Sequence, residues 1–99
     1  MDELLSRIKA VVFLDSAKED IQRHLVLLSG DGTELQEAVN AIRLHLSRNA
    51  DICLSIPGTN VKFYRTRPMR NGYTLDAHFY INCSGVVEVC RLILKKVGD

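Results

Sequence analysis

No stretch of this chain approaches the roughly 18 consecutive apolar residues that a helix needs to span a bilayer. The N-terminus opens on Asp2 and Glu3, where a secretory signal would carry a cationic region leading into an apolar one. The cysteines, Cys53, Cys83 and Cys90, are odd in number and lack C-x-x-C spacing, so neither a disulfide framework nor a zinc site is expected. These absences predict reduced thiols in an intracellular chain, cytoplasmic or nuclear and not secreted, with no membrane partner, no metal and no cofactor. Repeats, linkers and low-complexity segments are absent too, and residues 1–99 read as one domain. Hydrophobic residues at 46% and charged ones at 25% give the balance of a globular protein with a small core.

Net charge is only +1, yet it is unevenly divided. Residues 1–40 hold eight acids against four bases, and residues 41–99 hold nine bases against four acids. Halves of opposite sign steer an anionic ligand or let copies of the chain meet head to tail, so the asymmetry bears on partners and not on fold.

Leu4, Leu5, Ile8, Val11 and Val12 recur at helical spacing and predict a first helix from near Asp2, although Val11-Val12-Phe13-Leu14 is β-branched enough for a short strand. Ser16-Ala17-Lys18-Glu19 has the form of a capping box, and a second helix from Ala17 would align Ile21, Leu25 and Leu28 before stopping at Gly30. The rival reading makes His24 to Ser29 a strand. Thr33-Glu34-Leu35-Gln36 repeats the capping pattern ahead of a third helix. It runs to about Arg48, buries Leu35, Ala38, Val39, Ile42 and Leu46, and is closed by Asn49 in a left-handed conformation.

From Asp51 the apolar period shortens to two, with Ile52, Leu54 and Ile56 alternating as a strand before the Pro57-Gly58 turn. Val61 to Thr66 and Tyr73 to Asn82 then read as a β-hairpin joined by Arg67-Pro68-Met69-Arg70-Asn71-Gly72, whose Asn-Gly pair accepts positive φ cheaply. Val86, Val89, Cys90, Ile93 and Val97 share one face of a predicted last helix, Ser84 to Val97. The expected architecture is α+β, a three-stranded antiparallel sheet with helices packed on one face, in the order α-α-α-β-β-β-α. From Thr33 onward that order resembles the double-stranded-RNA-binding domain in topology alone. Where that fold grips phosphate at the start of its last helix, this chain has Ser84, Gly85, Val86 and Val87.

The hairpin is the candidate working surface. It carries Lys62, Arg65, Arg67 and Arg70 with no acid between Asp51 and Asp76, and alternation places Lys62, Tyr64, His78 and Tyr80 on the face turned away from the helices. Those cations suit phosphate, and the rings offer bases a flat surface to stack on, so the leading expectation is a small non-enzymatic module that binds nucleic acid, RNA ahead of DNA. The alternative uses the same hairpin and sheet face for a protein partner or for assembly into a homo-oligomer, since Tyr and Arg are enriched at interface hot spots.

No catalytic constellation can be assembled. His24, His45 and His78 are scattered, and Asp76 with His78 lacks a nucleophile and an oxyanion donor. Cys83 precedes the predicted last helix, whose N-terminus would lower a thiol pKa, but cysteine is more often simply buried. Ser29-Gly30-Asp31-Gly32-Thr33 resembles a phosphate-binding turn without the P-loop lysine and is explained as a helix stop followed by a cap.

Overall fold

A computed structural model describes residues 8–28 and 32–97. The expected helix from Asp2 falls largely outside those residues, as do Ser29, Gly30 and Asp31. Two α-helices and a four-stranded mixed sheet make up the described fold: β1 (Val11–Phe13), α1 (Asp15–Leu27), α2 (Thr33–Asn49), β2 (Lys62–Arg65), β3 (Tyr73–Ile81) and β4 (Val87–Lys96). The sheet order is β1-β4-β3-β2, with β1 parallel to β4 and the remaining pairs antiparallel. The α+β class holds, while the three-stranded antiparallel sheet and the seven-element order do not.

Each difference has a local cause. Val11–Phe13 takes the strand alternative because two β-branched residues and an aromatic, all of high strand propensity, pair with Val87, Glu88 and Val89. The predicted last helix is strand β4, because the sheet needs Val87, Val89, Leu92 and Leu94 on its inner side, opposite Ile81, Phe79, Ala77 and Leu75. A bulge between His78 and Phe79 leaves Cys90 as the extra residue on β4. That insertion breaks the two-residue alternation and imitates a spacing of three and four, the pattern mistaken for a helix. With no helix there, the resemblance to the double-stranded-RNA-binding order lapses, and Cys83 has no helix dipole beside it. It lies instead in a turn where Asn82 Oδ1 accepts the amides of Ser84 and Val86 and Gly85 takes φ +81°.

The strand expected at Ile52 to Ile56 is also absent. Ala50–Ile52 form a 3-10 turn, and only a single bridge, Ser55 to Lys62, ties the following segment to β2. Ile52 and Leu54 project into solvent, 77% and 72% exposed.

Helix α2 has the expected span, with Gly32 in the N-cap position expected of Thr33, and its buried Leu35, Ala38, Val39, Ile42 and Leu46 join the inner-face residues in one core. Asn49 ends it at φ −128°, without the left-handed turn expected of it. Helix α1 confirms the helical reading of residues 24–27, but Ser16 does not cap it. Ser16, Asp20 and His24 instead recur every four residues along the edge of β4 that β1 is too short to cover. Ser16 Oγ donates to Cys90 O at 2.6 Å, Asp20 Oδ2 accepts the Leu92 N–H at 2.9 Å, and His24 Nε2 donates to Leu92 O at 2.7 Å. An unpaired strand edge exposes such groups to stray pairing, and here a polar helix stripe satisfies them.

Candidate functional site: the outer sheet face and the basic end

Alternation along β3 fixes the two faces of the sheet. Leu75, Ala77 and Phe79 are fully buried against the helices, so Thr74, Asp76, His78 and Tyr80 point the other way. Register then assigns β2. Phe63 lies opposite His78 and Arg65 opposite Asp76, which places both on the outer face; Lys62 and Tyr64 lie opposite Phe79 and Ala77, on the inner one.

This phase is the reverse of the expected one. Tyr64 turns toward α2 and stacks on His45, with ring centroids 4.0 Å apart and planes 14° from parallel. Lys62 reaches the 3-10 turn that follows α2, where Nζ donates to Asp51 O at 3.3 Å and Cys53 O at 2.9 Å. Burial pushes the neighbouring Cys53 thiol up, against the opposing charge of Lys62.

The seven residues singled out in the sequence therefore divide into three groups. Lys62 and Tyr64 are inside, Arg65, His78 and Tyr80 share the outer face, and Arg67 and Arg70 sit in the connection between β2 and β3. A one-residue slip in phase moves every side chain of a strand to the opposite face. The available signal was the Arg65 and Asp76 pair: unlike charges directly opposite one another must share a face, which carries Phe63 outward with them.

Asp76, 3% exposed, accepts Arg65 Nε at 2.7 Å and Nη2 at 2.9 Å, a bidentate geometry, with Lys95 Nζ at 3.8 Å. This contact holds the Arg65 guanidinium pKa above its ordinary value, chiefly through the hydrogen bond and then through the carboxylate's charge. Across the sheet, Tyr80 faces Glu88, whose carboxylate bonds the phenol and pushes its pKa up, with burial adding to the effect. Arg91 lies opposite His78 and turns over the strand edge to bond Asp20 at 2.8 and 3.3 Å.

The expected last helix, Ser84 to Val97, would carry Lys95 and Lys96 at its C-terminal end. As strand residues they lie opposite Thr74 and Tyr73, at the same end of the sheet as Arg65 and the connection. A hollow of about 350 Å³ forms there among Arg65, Thr74, Lys95 and Lys96, bounded by Pro68 and Val97. Rings of Phe63, His78 and Tyr80 thus adjoin a basic end drawn from the ends of β2, β3 and β4. Such a surface can stack flat groups and neutralise anions.

Comparisons with protein-family models, with curated proteins and with solved structures return no match for this chain. None of the described helices is long and apolar enough to cross a membrane.

Proposed function

We propose that this chain is a non-enzymatic binding module that holds single-stranded nucleic acid, RNA ahead of DNA, across the outer sheet face and its basic end. The observation that carries the reading is the register: Phe63 stands opposite His78, one outward step along the strands from Arg65 and Asp76, with Lys95 diagonal to them. Bases stack on the rings, and phosphates meet Arg65 and Lys95, joined at the end hollow by Lys96, which by register opposite Tyr73 belongs to the inner side of β4. Arg65 and Lys95 lean on Asp76 yet keep side chains 51% and 54% exposed, so their remaining donors face water and are open to phosphate oxygens. RNA is preferred because sequence-tolerant stacking on an open sheet suits unpaired strands.

Fluorescence anisotropy of a labelled random oligonucleotide tests this. The double variant Lys95→Glu, Lys96→Glu should weaken binding at least roughly tenfold while circular dichroism stays unchanged. Equal binding by the variant rejects the site.

A second reading, contact with a protein partner or a second copy, has one specific observation in its favour. Ile52 and Leu54 are large, apolar and exposed beside β2, a strand at the edge of the sheet. Light scattering of the purified chain distinguishes the readings, because a monomer that gains mass only with the oligonucleotide supports the first.

A further inference from the structure

Glu34, Glu37, Ala38 and Ala41 fall at three- and four-residue spacing near the start of α2 and share one side of the helix. The two alanines leave space that longer side chains would fill. Across it, the β2–β3 connection presents Arg67 and Arg70, and Tyr64, Thr66, Pro68 and Met69 complete the lining. The resulting cleft encloses about 480 Å³, within the range of small-molecule sites.

Its charges are arranged in an unusual way. Glu34 Oε2 accepts the backbone N–H of Arg70 at 2.6 Å, which ties the connection to the helix without engaging the guanidinium. Ion pairs among the described residues join Lys9 to Asp51, Arg23 and Arg91 to Asp20, and Arg65 and Lys95 to Asp76, so none spans this cleft. Two carboxylates on one wall and two guanidinium groups on the other stay apart over a partly apolar floor. A purely cationic ligand placed there meets Arg67 and Arg70, and a purely anionic one meets Glu34 and Glu37. Only a molecule bearing both signs satisfies both walls.

We infer that this cleft binds a small ω-amino carboxylate, its single ammonium on Glu34 and Glu37 and its carboxylate on Arg67 and Arg70. The ligand's methylenes lie over Ala38, Ala41 and Met69. The cleft is formed by α2 and the connection, apart from the outer-face rings, so the inference stands independently of nucleic-acid binding.

Amide chemical shifts of the full chain, titrated separately with 5-aminopentanoate, 1,5-diaminopentane and glutarate, test it. The amino carboxylate should give saturable shifts at Ala38, Ala41, Thr66 and Met69, with affinity at least about ten times that of the diamine or the dicarboxylate. Glu37→Gln and Arg67→Gln should each weaken binding of the amino carboxylate roughly tenfold without moving the melting temperature. Glu37→Gln should also leave oligonucleotide affinity intact, which separates this cleft from the outer face. Comparable affinity for all three probes, shifts located elsewhere, or no shifts at all would overturn the inference.

Discussion

The carboxylate of Asp20, 1% exposed on α1, accepts the backbone N–H of Leu92 at 2.9 Å and so closes a strand edge from the side of a helix. Arg91 and Arg23 bond the same carboxylate, leaving the buried charge compensated. Asp20→Ala strips a partner from the Leu92 amide and strands Arg91, and should lower stability by about 2–4 kcal/mol in urea denaturation. Arg91→Ala, which removes a half-exposed partner and leaves the amide bond in place, should cost less than half as much.

Acid dependence follows from the same contact. Burial alone would raise the Asp20 pKa, but the bonds from Arg91 and Leu92 and the charges of Arg91 and Arg23 outweigh it and hold the group below its ordinary value of 3.8. A folded pKa below the unfolded one means that the contribution is complete above about pH 4 and is lost as pH falls through the folded value. Denaturation midpoints of the parent protein should therefore drop more steeply below pH 4 than those of Asp20→Asn, with parallel curves above it.

The stack of His45 on Tyr64 assigns that tyrosine to the core side. Tyr64→Leu should cost about 1 kcal/mol of stability, the scale of an aromatic pair, and leave oligonucleotide affinity unchanged. Thermal melts and anisotropy on the same preparation check both halves. Loss of affinity at constant stability would return Tyr64 to the binding surface.

Salt provides a separate measure of the basic end. The slope of log affinity against log salt should become shallower by about 0.7 for each lysine neutralised in Lys95→Gln and Lys96→Gln, as expected for contacts to single strands. An unchanged slope would mean that neither lysine meets phosphate.

Ile52 and Leu54 offer a test of assembly. Their joint replacement by serine should leave the melting temperature within a degree or two, roughly the range of surface changes, because both side chains are already exposed. A fall in the scattering mass of the variant would favour self-association through this patch, and identical masses would dismiss it.

Where periodicity was strong and uninterrupted, the fold was legible in the chain. Helix α2 is written in Leu35, Ala38, Val39, Ile42 and Leu46, and β3 in the alternation of Leu75, Ala77 and Phe79. The β2–β3 hairpin was legible too, down to Gly72 at φ +84°. Strand β4 was hidden by its bulge at Cys90, which put Val86, Val89, Cys90 and Ile93 at helix-like intervals. The site suffered in turn, since Lys95 and Lys96 reach the hairpin only if β4 is a strand. Adjacent aromatics Phe63 and Tyr64 left the phase of β2 ambiguous to hydrophobicity alone, and the deciding contact, Arg65 with Asp76, is a pairing across strands. The role of Ser16, Asp20 and His24 was equally unreadable, because a polar stripe on a helix ordinarily faces water and here it faces an unpaired strand.

A chemical-shift map of the labelled chain titrated with a single-stranded oligonucleotide addresses the central claim most directly. Perturbations should gather on Phe63, Arg65, His78, Tyr80 and Lys95 and spare Lys62 and Tyr64, which lie one residue away on the opposite face. Shifts confined to α2 or to the segment around Ile52, or a spectrum that does not change, would contradict binding at the outer face.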